Sequence, residues 1–167
     1  MSYNELMELR IKIIIFIIFL VALSPTNLIT AAQLSENDLC KPTEEDEMGP
    51  FYRPGAPLRS HVGVGYLLTG TVRSSETCAG IGSPLIEFWQ AGPDGRYVDA
   101  YRAAIITDKS GIYRFETSAP PPYVSRPPHI HIRVSAPGFV TLTTQHYLKQ
   151  GQTEAVFDLV LMPDPLH

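Results

Sequence analysis

The sequence predicts an all-β protein: an antiparallel β-sandwich of about seven to eight strands, preceded by an irregular N-terminal arm. Three observations support this fold class. Short apolar segments alternate with turn signals, and proline and glycine are frequent, at 15 and 12 of 167 residues. No segment keeps a helical period of apolar residues over three turns. Many short strands joined by tight turns produce this composition.

The N-terminus has a different pattern from the rest of the chain. Arg10 and Lys12 precede an apolar run at 13–23, and small and polar residues follow as far as Ala32. This order is typical of a secretory signal peptide, and the apolar run is too short to span a bilayer comfortably. We therefore expect residues 1–32 to be cleaved and the mature protein to be secreted, without stable membrane contact. An uncleaved anchor and a buried strand are the alternatives.

The two cysteines, Cys40 and Cys78, are the only ones in the chain. Two cysteines usually pair outside the cell, so we expect a disulfide that ties the arm to the region of the first strand. Neither cysteine belongs to a CxxC motif, which argues against zinc. Whether their Cα atoms come close enough is not fixed by the sequence.

After the signal peptide, the chain divides into an arm at 33–60 and a β-sandwich domain at 61–167. The arm is polar, and its acidic run at 44–47 is interpreted as a solvated surface. A polyproline-like connector is expected at 120–122. Seven apolar segments of the domain are predicted as strands, at 66–72, 85–90, 104–107, 111–117, 129–134, 140–147 and 156–161.

The charge balance excludes one class of partner. The chain has 13 basic and 17 acidic residues, for a net charge of −4. Proteins that bind nucleic acids concentrate positive charge on one surface, and no such cluster is present in the sequence. We expect no nucleic-acid partner.

Two histidines in the fifth predicted strand are candidate metal ligands. His129 and His131 alternate with the apolar residues Ile130, Ile132 and Val134. Alternate side chains of a strand face the same side, so the two imidazoles project together from one face. Two imidazoles on a rigid face are half of a metal site. By itself the HxH pattern also fits a half-buried strand with two polar residues facing water.

Tyr97 and Tyr123 flank the turns nearest to this strand and could complete the site. A phenol ionises near pH 10, so tyrosine is a poor ligand for most metal ions. A hard, highly charged cation such as Fe(III) can displace that proton. Two phenolates and a hydroxide would balance the charge of Fe(III), and two neutral imidazoles would complete five-coordination. The connector at 120–122 would hold Tyr123 at low entropic cost.

With these residues in view, the chain resembles the intradiol ring-cleavage dioxygenases, the non-haem Fe(III) family of protocatechuate 3,4-dioxygenase and catechol 1,2-dioxygenase. The matching motifs follow the family's order over nearly the whole mature chain. They are GPFY at 49–52, PLIEFWQ at 84–90, DGRY at 94–97, TDKSG at 107–111 with Tyr113, PY at 122–123 and RPPHIH at 126–131.

The resemblance implies an Fe(3+) cofactor and a set of four metal ligands: Tyr97, Tyr123, His129 and His131. It also implies that small-molecule catechols and O2 are the substrates and that the ring opens between the two hydroxyl-bearing carbons to a muconate-type diacid. Tyr123 matches the tyrosinate that leaves the metal when a catechol binds, so it is also a predicted catalytic residue.

Three further residues receive roles from the resemblance. Arg126 matches an arginine beside the bound ring, whose fixed charge would stabilise negative charge on the substrate. Gln145 is similar to a glutamine in the family's pocket. Both are predicted to act in catalysis and in substrate binding, and Tyr52 is predicted to line the mouth of the pocket and bind substrate.

The chain also departs from the family's pattern. Tyr123 and His129 are six residues apart, whereas the bacterial members have a longer loop. The resemblance does not include the long N-terminal helical region of the catechol 1,2-dioxygenases. We therefore expect an open site with broad specificity and a monomer, with an oligomer not excluded.

The alternative from another class is a secreted, transthyretin-like β-sandwich binding module without catalysis. Its tyrosines and histidines would then be surface groups for a ligand. Such a module shares the strand pattern but has no reason to place RPPHIH after a proline-held tyrosine. The aromatic residues Trp89, Tyr101, Tyr113 and Tyr147 are predicted to lie in the core or at its rim, and His146 on the face opposite Gln145.

Overall fold

The computed structural model describes residues 40–166. Eight strands and one 3-10 helix (Asp99–Tyr101) are formed by these residues. The strands are β1 (Tyr66–Ser74), β2 (Leu85–Trp89), β3 (Arg102–Ile106), β4 (Ile112–Thr117), β5 (His129–Ser135), β6 (Leu142–Tyr147), β7 (Glu154–Val156) and β8 (Leu159–Leu161). The predicted signal peptide and the start of the predicted arm, at 33–39, lie outside the described residues. Within 40–166, no helix has the length and apolar character needed to cross a membrane.

The strands form two four-stranded sheets, which confirms the all-β sandwich. One sheet has the order β4-β1-β7, with β8 also paired to β1, and the other has the order β3-β2-β5-β6. Four strand pairs are antiparallel, as expected. The pairs of β1 with β7 and β8 are parallel and differ from the expectation, because the chain crosses from β6 to the other sheet and runs along β1 in the same direction.

The last predicted strand, at 156–161, is two strands in the structure. β7 and β8 keep one register on β1, but Phe157 and Asp158 interrupt the pairing. A carboxylate oxygen of Asp158 accepts the backbone N–H of Thr71 at 2.8 Å, in place of a ladder carbonyl. Gly70 permits this close approach, since a Cβ there would overlap the carbonyl of Phe157. The other six predicted strands match the observed bounds within two residues at either end.

The core lies between the two sheets. β1 alternates strictly between buried and half-buried residues, as a strand with one core face should. Phe88 of β2 stacks on Phe115 of β4 with ring centroids 4.2 Å apart. Burying side chains of this size contributes about 1.5–3 kcal/mol each, so this packing fixes one sheet against the other. β5 is buried on both faces: Ile130 and Ile132 point to the core, and the two histidines point away from it.

The N-terminal arm covers the face of β5 that points away from the core. Backbone N–H groups of Thr43 and Asp46 donate to the carbonyls of Val160 and Thr143, at 3.1 and 3.0 Å. A disulfide joins Cys40 to Cys78, with Cα atoms 5.2 Å apart. The arm is therefore fastened to both sheets before it reaches the residues around the histidines.

Candidate metal centre

β5 presents His129 and His131 on one face, each only 3% exposed. Both neighbouring strands contribute to the same face, because directly paired residues of adjacent strands point to the same side. His131 pairs with Trp89 of β2 and with Gln145 of β6, and His129 pairs with Tyr147 of β6. The Trp89 indole stacks on the His131 ring at 5.0 Å, with an interplanar angle of 8°.

Tyr97 completes a cluster of three donor atoms. Its hydroxyl oxygen is 3.3 Å from Nε2 of His129 and 3.3 Å from Nε2 of His131. A turn after β2 delivers the tyrosine, closed by the Gly92 N–H donating to the Arg96 carbonyl at 2.9 Å. Phe51 of the arm stacks on the Tyr97 ring at 4.3 Å. An oxygen and two nitrogens thus converge at one point on the outer face of the sheet.

One hydrogen bond fixes the tautomer of His129. Its Nδ1 lies 2.8 Å from the Pro127 carbonyl oxygen, which can only accept, so Nδ1 carries a proton and Nε2 is the unprotonated nitrogen of the neutral ring. Burial, and then the positive charge of a protonated His129, lower the pKa of His131 to about 4. The Glu47 carbonyl acts in the opposite direction, although Nδ1 of His131 makes no hydrogen bond of good geometry.

Tyr123 reaches the cluster from a tight turn. Its ring lies edge-on to Tyr97, with centroids 5.4 Å apart. Tyr123 and Arg126 exchange backbone hydrogen bonds of 3.1 and 2.9 Å, which makes a hairpin with two central residues. Val124 at its tip has φ +54° and is exposed. Burial, and then the neighbouring phenol of Tyr123, raise the pKa of Tyr97 to about 12, so this phenol is protonated unless a cation displaces the proton.

The donor set fits a hard, highly charged cation. Within residues 40–166, His, Cys, Asp and Glu form no group of three or more that could hold a metal. A metal bound here would therefore depend on tyrosine oxygens, and Fe(III) is an ion that can displace a phenol proton. The fixed tautomer of His129 and the convergence of Tyr97 with both imidazoles fit that ion. The role of Tyr123 as a fourth ligand stays a prediction.

Arg126 and Gln145 lie beside the cluster. The guanidinium of Arg126 donates to the hydroxyl oxygen of Tyr147 at 2.6 Å. The Tyr147 ring in turn is 5.9 Å from the ring of His129. Gln145 is buried, and its amide donates to the Glu47 carbonyl at 2.6 Å, while its Oε1 has no partner among the described residues. Their predicted roles toward substrate stay predictions.

Tyr52 contacts the side chains of Glu87, Arg133 and Trp89. Its hydroxyl donates to the Glu87 carboxylate at 3.0 Å, and Arg133 donates to the same oxygen at 3.0 Å. Its ring contacts Trp89 at 5.1 Å, and Trp89 stacks on His131. Trp89 therefore links Tyr52 to the cluster. The predicted part of Tyr52 in substrate binding stays a prediction.

Sequence reasoning missed several residues of the site. Phe51 lies within a matched motif but received no role, although it stacks on Tyr97. Trp89 and Tyr147 were predicted as core or rim, and both contact a histidine of the cluster. Asp46 was placed in a solvated acidic run, yet it accepts a hydrogen bond from Tyr147 at 2.8 Å. The motif itself was the available signal for Phe51, and strand pairing with His129 and His131 would have indicated the other two aromatics.

Comparisons with known proteins identify the family of the chain. Residues 56–161, more than half of the chain, match the family model described as Dioxygenase. The chain is 33% identical over 138 residues to a chlorocatechol 1,2-dioxygenase of Pseudomonas putida, covering 62% of this chain and 53% of that protein. It is 31% identical over 153 residues to a catechol 1,2-dioxygenase of Candida albicans, covering 70% and 50%.

Two solved structures share the fold. The dioxygenase domain of a dioxygenase carbohydrate-binding protein fusion from Streptomyces sp. SirexAA-E superposes with a TM-score of 0.66 at 28% identity, covering 74% of this chain and 99% of that one. An intradiol ring-cleavage dioxygenase from Tetranychus urticae gives 0.67 at 19% identity, covering 77% and 97%, and supports the fold alone.

The chain belongs to the intradiol ring-cleavage dioxygenase family, which confirms the resemblance. It spans about half the length of the curated relatives that it matches.

Proposed function

We propose that this protein is an extracellular intradiol dioxygenase, which uses O2 to cleave catechols between the two hydroxyl-bearing carbons and yields muconate-type diacids. The observation that carries the proposal is the convergence of Tyr97 Oη with the Nε2 atoms of His129 and His131, at 3.3 Å each. Family membership supports the reaction class, since relatives are named as chlorocatechol and catechol 1,2-dioxygenases.

The proposed cofactor is Fe(III), held by Tyr97, Tyr123, His129 and His131. Two phenolates would offset two of its three charges, and the two imidazoles would bind as neutral ligands. When bound, Fe(III) supplies the Lewis acidity that makes a chelated catechol reactive toward O2. The chain supports this role by burial: both histidines are 3% exposed, and Phe51 and Trp89 cover the cluster from two sides.

The residues around the cluster have separate proposed tasks. Tyr123 would accept a proton from a catechol hydroxyl at its Oη. Arg126 would place a fixed positive charge beside the ring, where negative charge develops. Gln145 has a buried Oε1 without a partner among the described residues, which suits it to accept a hydrogen bond from a substrate hydroxyl.

The proposed extracellular location rests on two features. The pattern of residues 1–32 is that of a signal peptide, and the disulfide between Cys40 and Cys78 would persist in an oxidising compartment. Expression of the full chain in a secreting host tests it. We expect protein in the medium that begins near residue 33, as read by mass spectrometry, whereas full-length chain in the membrane fraction would contradict secretion.

A visible absorption spectrum tests the iron site and the substrate class together. Protein reconstituted with Fe(III) should show a broad tyrosinate-to-iron band, which moves to longer wavelength when catechol is added without O2. Tyr97→Phe should weaken this band and leave only the part that Tyr123 contributes. Tyr101→Phe is the matched control and should keep it, because Tyr101 packs against Gly92 rather than in the cluster.

Admission of O2 to the catechol complex should then give the ring-opened diacid. A reconstituted protein that stays colourless would contradict the proposal and favour a binding module without catalysis.

A further inference from the structure

Asp46 contacts three polar side chains beside the metal centre. Its carboxylate accepts a hydrogen bond from the Tyr147 hydroxyl at 2.8 Å and lies 3.4 Å from the amide nitrogen of Gln145. It is also 3.7 Å from the guanidinium of Arg126. Two of these three residues, Arg126 and Gln145, are those assigned to substrate in the proposed function.

The carboxylate is fixed in position by the backbone around it. The Asp46 N–H donates to the Thr143 carbonyl at 3.0 Å, and the Thr144 hydroxyl donates to the Glu44 carbonyl at 2.8 Å. The Asp46 side chain is 28% exposed, whereas that of Glu47, the next residue, is 81% exposed. Asp46 is therefore an anchored charge and not part of a solvated surface.

A short chain of hydrogen bonds links Asp46 to Arg126. Arg126 donates to the Tyr147 oxygen at 2.6 Å, and Tyr147 donates to Asp46. The second carboxylate near Arg126, that of Glu47, is 3.8 Å away and exposed to solvent, which weakens it as a partner. The carboxylate of Asp46 in the arm thus offsets the positive charge of Arg126.

We infer that Asp46 is a positioning residue of the catechol site, which holds Arg126 and Gln145 in place and offsets the charge of Arg126, so that the site prefers uncharged catechols to catechols carrying a carboxylate. This inference rests on the proposed function. An anionic ring substituent near Arg126 has to compete with Asp46 for the guanidinium, and an uncharged ring does not.

Asp46→Asn tests the inference, because it keeps the size of the side chain and removes its charge. Catechol and 3,4-dihydroxybenzoate are titrated without O2 into the Fe(III)-loaded protein, and the shift of the visible band gives each dissociation constant. The native protein should bind catechol more tightly. In Asp46→Asn the ratio of the two constants should move toward 3,4-dihydroxybenzoate by about fivefold, the scale of a partly exposed ion pair. High salt should shrink this change.

Glu45→Gln is the matched control, since it removes the same charge one residue away. Glu45 is exposed, and its carboxylate makes no hydrogen bond or ion pair with the described residues. We expect its ratio to stay within about twofold of the native value, because solvent screens an exposed charge. An equal shift in Glu45→Gln, or an Asp46→Asn that weakens both probes alike, would overturn the inference.

Tyr147→Phe separates the two roles inferred for Asp46, which are to position Arg126 and to offset its charge. It breaks the hydrogen bonds to Arg126 and Asp46 but keeps the carboxylate, so both probes should bind more weakly with little change in their ratio. In metal-free protein, the losses in Tm of Asp46→Asn and Tyr147→Phe should not add, because Tyr147→Phe removes the hydrogen bond between the two side chains and Asp46→Asn weakens the same bond. Additive losses would overturn the linkage.

The proposed function has its own mode of failure in this experiment. If the native protein forms no coloured iron complex, or neither probe shifts its band, the dioxygenase assignment fails. If both probes shift the band and Asp46→Asn leaves their ratio at the native value, the assignment stands and only the role of Asp46 fails.

Discussion

The candidate metal centre is assembled from two regions of different kinds. β5 carries His129 and His131 between two hydrogen-bonded neighbours, β2 and β6. The arm carries Gly49 and Phe51 to the same cluster without forming a strand there. Strand pairing therefore fixes the positions of the imidazoles, whereas the arm that covers them is held by a disulfide, by hydrogen bonds and by ring contacts of Phe51 and Tyr52. Substitutions in β5 and substitutions in the arm should therefore change iron binding by different amounts.

The largest effect is expected in the strand region. His131→Gln removes a proposed ligand while leaving the strand pairs of β5 intact, so it should lower the affinity for Fe(III) by at least about 100-fold, above the range typical of outer-shell changes. Metal titration followed by the visible band measures it. His61→Gln is the control, because His61 is exposed and lies outside the cluster. The His61→Gln protein should bind iron as the native protein does. If His131→Gln binds Fe(III) with the affinity of the native protein, His131 is not a ligand.

An intermediate effect is expected where the arm meets the strand. Gly49 has φ +69°, and an added Cβ would lie 3.2 Å from Cε1 of His131. Gly49→Ala should cost about 2 kcal/mol of unfolding free energy, from the left-handed backbone and from displacement of the arm or the ring. It should also weaken iron binding. Denaturant unfolding and metal titration measure the two changes.

Gly55→Ala is the matched control for that variant. Gly55 has φ +79°, but nothing lies within 4 Å of the Cβ position, so the substitution carries only the backbone cost of about 1 kcal/mol. Iron affinity should be unchanged. Equal effects of the two variants on iron binding would show that contact between the arm and His131 does not matter.

The smallest effect concerns His146, on the inner side of β6. Its Nε2 is 2.7 Å from the hydroxyl of Tyr66, and burial lowers its pKa to about 4. The unfolded chain takes up this proton near pH 6.5 and the folded protein only near pH 4, so stability is full above 6.5 and falls between these values. Because the ring is partly exposed, about 1 kcal/mol is expected.

His146→Gln should flatten this part of the pH profile of unfolding free energy relative to the native protein. The two proteins are compared by the slope of the unfolding free energy against pH between 6.5 and 4. Other titrating groups contribute to this slope equally in both proteins. An unchanged slope would mean that the imidazole is hydrated in the folded state.

The strand region could be predicted from the sequence more fully than the cover. Period-two alternation was enough to place His129 and His131 on one face, because it depends on neighbouring residues only. Tyr97 and Tyr123 were only candidates by their place beside the turns, and the resemblance was needed to assign them as ligands, since nothing local places a loop tyrosine near a given strand. The contacts of Asp46 were not predictable, because they join residues 99 and 101 positions apart in the chain.

The fold shows the same division. The sequence predicted six strands closely, but the break at Phe157 and Asp158 was missed because the Asp158 side chain bonds to Thr71, 87 residues away. The parallel pairing of β1 with β7 and β8 follows from the path of the chain between sheets, which alternation of residues does not encode.

The disulfide at the start of the arm has a consequence for the order in which the protein matures. Residues 43–51 close over a face that the sandwich alone leaves open, and Cys40 is covalently held just before them. We expect the sandwich to form first, oxidation of Cys40 and Cys78 to follow, and the metal to enter last. In the proposed secreted iron protein, maturation would then couple iron loading to an oxidising compartment, so that protein kept reduced would take up iron poorly even when its strands are fully formed.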